Sequence, residues 1–412
     1  MERSSSRSVT VELTYRGGYF GQLGPFEVAG GWWQEVGGVA AAAEAALGLP
    51  VLVLRLLDGE GEGGAYGGRV RYHAESAEPP RTAPRTPDAA TAALLGPAGR
   101  RAAWADADGL RAALEWAGER LGAPAGQVRQ LRTWNLSGLY RLPAAEGADA
   151  WLKTTAPDFN AAEGEVIALL GGVDATLVPR VLAADPAAGR LLLAHVPGED
   201  CWGPSAATVE RTVPRLVAAQ AALAADGRAA AAGLRDRTPR ALLAQLEALL
   251  ARLPEETDLT GGERARVAEL VGELPATIRR LADCGLPETL LHGDFHPGNW
   301  RAEPGRPAVL LDFADACLGH PALDGLRARD FLSPEDWQHY AGVWAAAWRA
   351  HLPGAEPERA LELAEPLYHL AYALRYQEFL DHIETSERPY HEGDPASELR
   401  AALRCGSARA RS

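Results

Sequence analysis

Residues 292–299 read His-Gly-Asp-Phe-His-Pro-Gly-Asn, and Leu311-Asp312-Phe313 follows shortly after. Leu290 and Leu291 precede the first piece, and Val309 to Leu311 lead into the second. Apolar run, polar turn with Gly and Pro, apolar run: the order is strand, loop, strand. Asp294 and Asn299 are five residues apart, and Asp312 lies thirteen beyond Asn299. A lone His-Gly-Asp or Asp-Phe is common, and most loop aspartates are solvated turn residues. Here three oxygen-bearing side chains fall in order around two short strands. They suit a hard cation such as Mg²⁺, which takes few protein ligands and completes its shell with phosphate oxygens and water.

One carboxylate to orient or deprotonate a hydroxyl, with an Asn and a second Asp for magnesium, is the layout of a phosphoryl-transfer site. At these residues the chain resembles the aminoglycoside phosphotransferase family, the small-molecule branch of kinase-like folds. HGDFHPGNW and LDFADACLGHPALD are similar to that family's catalytic and metal-binding loops. Gly293 stands where protein kinases carry Arg, as in the family. The resemblance runs over about residues 105–400. It implies that Asp294 is the catalytic base and that Asn299 and Asp312 are magnesium ligands. It also places Asp315, His320, Pro321 and Asp324 in the loop downstream of the metal, in mainly structural roles. His292 reads as a brace for the loop and His296 as a loop-shaping residue. No Ser or Cys elbow accompanies them to support nucleophilic catalysis.

With 412 residues, 47% hydrophobic and 23% charged, the chain can build a full core without staples. Its net charge of −14 is the opposite of what nucleic-acid binding favours. Acidity mostly serves solubility, and it also steers cationic small molecules. Cys201, Cys284, Cys317 and Cys405 are far apart, with no CxxC pair, so neither a disulfide framework nor a zinc site is expected. The N-terminus lacks a signal-peptide core, and the run from Val39 to Leu57 is broken by Glu44, Pro50 and Arg55. The expected setting is a reducing cytoplasm, with no membrane span.

The expected fold class is α+β: a bilobal, protein-kinase-like fold with an extra N-terminal α/β module. The module covers residues 1–76. Strands are expected at Val9–Tyr15, Val51–Leu57 and Gly68–Glu75, and a helix at Trp32–Leu47 that ends at Gly48 and Pro50. Trp32 and Trp33 read as core. The stretch from Gly59 to Gly68 holds six glycines and reads as a loop. Residues 77–104 are a Pro/Ala-rich linker. A helix is expected over Asp106–Leu121, with Asp106 or Asp108 as N-cap.

Residues 105–195 form the expected nucleotide-side N-lobe, a five-stranded antiparallel sheet. Its strands are Gln127–Trp134, Leu139–Leu142, Ala148–Lys153, Leu177–Leu182 and Leu191–Ala194, with a helix near 160–170. Residues 196–402 are the helical C-lobe, with helices near 206–226, 238–252, 262–283, 334–350 and 366–384. Residues 403–412 are a basic C-terminal tail, unlike the acidic end that aminoglycoside-resistance members of the family often carry.

A kinase needs backbone amides over the nucleotide phosphates and a lysine on the α- and β-phosphates. The candidate loop is Trp134 to Tyr140, which has one glycine, with Ser137 and the Gly138 amide as phosphate contacts. Lys153 is the only lysine in the chain and resembles the family's third-strand lysine. Its partner is expected on the following helix, where Glu163 is favoured over Glu165. By resemblance, Ala194 to Val196 is the hinge that faces the purine. The cofactors implied are Mg²⁺ and ATP, with GTP the alternative donor.

On the acceptor side the candidate surface is Tyr368, His369, Tyr372, Arg375, Tyr376, Glu378 and Asp381, with Asp315 nearby and the loop Tyr390–Asp394 as a cap. Aromatic rings and carboxylates suit a polyhydroxylated amine. The same tyrosines can simply pack on neighbouring helices. Three readings stay open. The chain phosphorylates a hydroxyl of an antibiotic, amino sugar or related natural product. It phosphorylates a metabolic sugar, amino alcohol or hydroxy-amino acid. Or it binds nucleotide without catalysis.

Overall fold

The computed structural model describes residues 6–62, 64–122, 128–143, 147–160, 162–256 and 258–409. Gln127, expected to open a strand, and residues 410–412 of the expected tail lie outside them, as does Gly63 of the glycine-rich loop. The chain divides into two compact units. The first comprises Met1–Ala161, Val181–His195 and Glu378–Glu392. The second comprises Ala162–Arg180, Val196–Gln377 and Gly393–Ser412.

The first unit holds two sheets. Strands β1 (Ser6–Tyr15), β2 (Gly18–Ala29), β3 (Val51–Glu60) and β4 (Arg69–Ser76) form one, in the order β2-β1-β4-β3. Helix α1 (Gly37–Leu47) joins β2 to β3 and packs into their core with Val9, Val11, Val53 and Tyr72. Strand β2 was not expected. Gly21 and Gly24 have positive φ, and Gly24 and Pro25 fall where the register slips between Val9 and Val11, which destroys the alternation that marks a strand. The helix starts at Gly37 rather than Trp32, because Trp32 and Glu35 form isolated bridges to Tyr66 and Arg132. Trp33 is core, with its indole N–H donated to Gly67 O at 2.9 Å. Trp32 is not core: it is 52% exposed and meets Tyr66 edge to face.

Short helix α2 (Ala89–Leu95), capped by the Asp88 carboxylate on the Thr91 amide, forms within the proline-rich segment that follows. Helix α3 (Ala107–Leu121) is capped by Asp106.

The second sheet is five-stranded and antiparallel: β5 (Arg129–Trp134), β6 (Ser137–Leu142), β7 (Ala150–Thr155), β8 (Val181–Asp185) and β9 (Arg190–Ala194), in the order β5-β6-β7-β9-β8. Strand β8 starts at Val181 rather than Leu177. Pro179 has no ladder donor, and the Leu177 carbonyl accepts from Leu310 N–H at 2.8 Å instead. The two sheets are stitched by Gln130, whose amide exchanges two hydrogen bonds with the backbone of Val53.

In the second unit, α4 (Glu163–Gly171) precedes a mainly helical array. Its members are α5 (Ala206–Ala225), α6 (Arg228–Ala231), α7 (Pro239–Glu256), α8 (Gly261–Ala282), α9 (Ala322–Arg327), α10 (Pro334–His351), α11 (Pro357–His382) and α12 (Asp394–Arg409). The end of α11, from Glu378, belongs to the first unit. Strand pairs are short: β10 (Glu199–Asp200), β13 (Trp300–Ala302) and β14 (Val309–Leu310) form one sheet, and β11 (Asp236–Arg237), β12 (Thr289–Leu291) and β15 (Cys317–Gly319) another. Helix α11 begins at Pro357, nine residues before the expected start, and carries Pro366 inside it. Helix α12 was not expected. Among the described residues no helix is long and apolar enough to cross a membrane.

Candidate active site

The loop between β12 and β13 is built from its backbone outward. Strand β12 delivers the His292 and Gly293 amides, which donate to Asp324 Oδ2 and Oδ1 at 2.7 and 2.9 Å. Gln220 on α5 donates its side-chain amide to Asp324 Oδ2 at 2.9 Å and to Leu290 O at 3.1 Å. Burial pushes the Asp324 carboxyl up to about 7, against the pull of these donors. Gly293 has φ +82, and a Cβ there would meet the Asp315 carbonyl at 2.1 Å. Glycine is therefore required at this position.

His292 is fully buried, which holds its ring down to about 4 and keeps it neutral. Its Nδ1 accepts from the Asp294 amide at 3.3 Å, so its proton is on Nε2, 3.1 Å from Leu311 O. The ring thereby ties the Asp294 loop to the segment after β14 that carries Asp312.

Asp294 is a quarter exposed and has three partners. Arg327 Nε donates to Oδ1 at 2.6 Å. His296 Nε2 lies 3.4 Å from Oδ2, and its Nδ1 accepts from Gly298 N–H at 3.1 Å. The Asn299 amide nitrogen donates to the Asp294 carbonyl at 3.0 Å and to Oδ2 at 3.1 Å. Burial alone would raise the carboxyl; the Arg327 guanidinium and His296 outweigh it and hold it well below the usual carboxylate range.

Arg327 is itself clamped. Its guanidinium lies 4.5 Å from the Tyr372 ring and 4.8 Å from the Phe331 ring, and it reaches Tyr368 Oη at 3.3 Å. His296 stacks on Phe331 at 4.1 Å, and the exposed Trp202 closes on both rings at 5.4 and 5.8 Å. The sequence reading missed Arg327, Phe331 and Trp202. An arginine three residues after Asp324, one helical turn on in α9, was the available signal.

Asp312 is exposed and adopts a left-handed backbone, φ +64. Both neighbours are pinned: Leu311 N–H donates to Asn299 O at 2.9 Å, and Phe313 N–H to Glu163 Oε1 at 3.1 Å. The first bond puts the two expected magnesium ligands on directly paired backbone. Among the described residues, no group of three or more His, Cys, Asp or Glu side chains could hold a metal ion.

Lys153 is buried in the middle of β7, opposite Leu139 and Leu191, in the first unit. Glu163, at the start of α4 in the second unit, is 3% exposed, whereas Glu165 is exposed. Ser137 Oγ accepts from the Trp134 indole at 3.1 Å, and the Gly138 amide donates to Thr154 Oγ1 at 3.2 Å. Ala194 pairs with Ala150 in the sheet, and the Val196 carbonyl accepts from Arg301 Nε at 2.9 Å.

Among the acceptor candidates, Arg375 Nε donates to Asp315 Oδ1 at 2.7 Å, and Tyr372 Oη to Gly293 O at 2.6 Å. The cavity that Asp315, Tyr372 and Arg375 line is about 50 Å³, room for water and little else. Tyr376 lies 6.1 Å from Tyr372, ring to ring. Glu378 falls in the other unit.

The sequence model of the APH phosphotransferase enzyme family matches residues 153–363, just over half of the chain. The chain belongs to this family. It is a small-molecule phosphotransferase that acts on a hydroxyl group. The match takes in Asp294, Asn299, Asp312 and Arg327 of this phosphotransferase and stops before Tyr368. No curated protein matches the sequence. Solved structures do match the fold of the phosphotransferase. A choline kinase, LicA, from Streptococcus pneumoniae is 15% identical over 73% of this chain and 99% of its own, with a TM-score of 0.51. A choline/ethanolamine kinase family protein from Mesorhizobium loti is 18% identical over 73% and 93%, at 0.50. A macrolide 2'-phosphotransferase type I is 15% identical over 73% and 97%, also at 0.50. At these identities the likeness is one of fold: mixed α+β, of the kind shared by choline kinases and phosphotransferases.

Proposed function

We propose that the chain transfers the γ-phosphoryl group of ATP, directly and in line, to a hydroxyl of a small molecule. The observation that carries this reading is the ionised Asp294, fixed by Arg327, His296 and Asn299, with Asp312 tied to the same loop through Leu311. A carboxylate with so low a proton affinity is a weak base. Its task is to orient the acceptor hydroxyl and to take the proton late, which suits a loose transition state in which little proton transfer is needed before bond cleavage.

The donor set fits magnesium. The Asp312 carboxylate is exposed, and Asn299 spends its amide nitrogen on Asp294, which leaves its carbonyl oxygen for a cation. Two oxygen ligands leave the rest of an octahedral shell to phosphate oxygens and water. Bound there, the ion would neutralise charge on the transferring phosphoryl group. On this reading the fold is bilobal. The five-stranded sheet supplies Lys153 to the α- and β-phosphates, braced by Glu163. Ser137 and Gly138 lie over the phosphates, and Ala194 to Val196 face the purine. GTP is the alternative donor.

The acceptor would bind on the C-lobe side of Asp294, beside Tyr372, Tyr376 and the Asp315–Arg375 pair. The net charge of −14 favours a cationic, hydroxylated acceptor through steering. An antibiotic, amino sugar or related natural product fits this chemistry, and so does a metabolic amino alcohol, the class named by the choline kinases that share the fold. The test is a mass-spectrometric screen with Mg²⁺, ATP or GTP and pooled aminoglycosides, macrolides, amino sugars, sugars and amino alcohols. One acceptor should gain one phosphate, and Asp294→Ala should abolish the product. Nucleotide binding without transfer to any pool would instead favour a non-catalytic nucleotide-binding module.

A further inference from the structure

Arg327 and His296, the two side chains that flank the Asp294 carboxylate, belong to one continuous run of ring contacts. Arg327 lies against the rings of Phe331 and Tyr372, and Tyr372 leads on to Tyr376. In the other direction His296 stacks on Phe331, and Trp202 lies beside both. His296 is buried, and Phe331, Tyr372 and Tyr376 are half-buried. Trp202 is 59% exposed, more than any other large hydrophobic side chain among the described residues.

This exposed ring is held in place. Trp202 sits in the turn between β10 and α5, and that turn is tied to the end of the catalytic loop. Cys201 N–H donates to Trp300 O at 2.8 Å, one residue past Asn299, and Asp200 pairs with Arg301 at 2.7 Å. The indole then lies directly over Gly298, where a Cβ would meet its Cζ2 at 2.2 Å. Gly298 is not one of the left-handed glycines, so what glycine supplies here is room for the indole. A large aromatic face that is already fixed loses little further freedom when a ligand covers it.

Two observations say which ligand. Trp202 and its ring partners lie in the second unit with Tyr372 and Tyr376, whereas the nucleotide candidates Lys153, Ser137 and Gly138 lie in the first. The carboxylates next to Trp202 and Phe331 along the chain are also engaged. Asp200 pairs with Arg301, and Asp330 accepts from Tyr368 Oη at 2.5 Å and lies 3.4 Å from Arg327. An ammonium group over the indole would therefore lie beside charge that arginines have already neutralised. The negative face of the ring instead suits the partial positive charge of a row of C–H bonds.

Resting on the reading of Asp294 as the group that orients the acceptor hydroxyl, we propose that Trp202 is the acceptor's stacking platform and selects a saturated, hydroxylated ring. A pyranose-type ring lays its C–H face on the indole and presents one hydroxyl to Asp294. An acyclic amino alcohol has no such face.

The test is calorimetric titration of the full chain, saturated with ADP and Mg²⁺. The ring probes are methyl glucoside, glucosamine and kanamycin; choline and ethanolamine are the acyclic ones. At least one ring probe should bind saturably and more tightly than either acyclic probe. Trp202→Ala should weaken that binding roughly tenfold or more, and Trp202→Phe should restore most of it, while the affinity for ADP holds in both. Three results would overturn the proposal: no saturable binding of any ring probe, equal affinity in Trp202→Ala, or a loss of ADP affinity in its place, which would give the indole to the nucleotide. Transfer is read separately with ATP. A ring probe that binds through Trp202 yet gains no phosphate would overturn the phosphotransfer reading and not the platform.

Discussion

Arg327 Nε lies 2.6 Å from Asp294 Oδ1, with its guanidinium packed against the rings of Tyr372 and Phe331. The carboxylate that would meet the acceptor is thus held by a cation that is itself immobilised. Without Arg327 only His296 is left to oppose burial, and the Asp294 carboxyl would rise. Arg327→Ala should lower kcat by about a hundredfold, as misplacement of a reacting group does. It should also bring an acid limb into the pH profile of kcat, in a range where the parent enzyme is flat. Arg327→Lys should restore part of the rate. A variant with the parent's pH profile would show that Arg327 only supports the fold.

Asp312→Ala separates metal binding from structure. The side chain is exposed, so its loss should leave the melting temperature within a few degrees. The left-handed backbone makes Asp312→Asn the milder change, since Asn also tolerates that conformation. If Asp312 carries magnesium, Asp312→Ala should lose turnover, and Asp312→Asn should need far more Mg²⁺ for half-maximal rate. Turnover near the parent level in Asp312→Ala would refute the metal role.

The strand–loop–strand frame around Asp294 was legible because its signal is local. Apolar strands frame polar residues whose types already declare their chemistry. The strand and helix order of 129–194 was legible for the same reason, to within a few residues. What escaped is either interrupted or long-range. Strand β2 hides behind Gly21, Gly24 and Pro25. Arg327 meets an aspartate 33 positions away and leaves no periodic trace, and Asp324, placed by resemblance, accepts from backbone amides about as distant that the sequence does not name. Gly293 could be matched to a family, but its cause, the Asp315 carbonyl at the place of a Cβ, exists only in three dimensions.

His369 on α11 and Glu398 on α12 are 2.7 Å apart. Burial pulls the imidazole down, but hydrogen bonds to Cys405 and Glu398 outweigh it and raise the ring to about 9. A raised folded-state value means the folded protein binds the proton more tightly than the unfolded chain, whose histidine titrates near 6.5. The stabilisation is therefore complete below about pH 6.5 and is lost as pH climbs through 9. Denaturant midpoints from pH 6 to pH 10 should fall across that window in the parent and stay flatter in His369→Gln. Parallel curves would mean that the pair contributes nothing to holding α12.

Asp324 gives the opposite chemistry with the same sign. Its carboxyl is raised to about 7 by burial, whereas an unfolded aspartate titrates near 3.9. Between those values the folded protein holds more protons than the unfolded chain, so stability falls as pH rises from 4 to 7. The ionised form is nevertheless the one that best satisfies the His292 and Gly293 amides, because each needs an acceptor oxygen. Asp324→Asn keeps one acceptor and turns an amide N–H₂ toward the other donor. That should cost about 1–3 kcal/mol, the penalty for a buried polar group left unsatisfied. Thermal melts should show the variant less stable at pH 7 and without the parent's decline from pH 4 to 7. The loop bearing Asp294 is hung on these two amides, so kcat should fall in the same variant while KM for ATP holds. A variant that melts lower but turns over like the parent would confine Asp324 to stability.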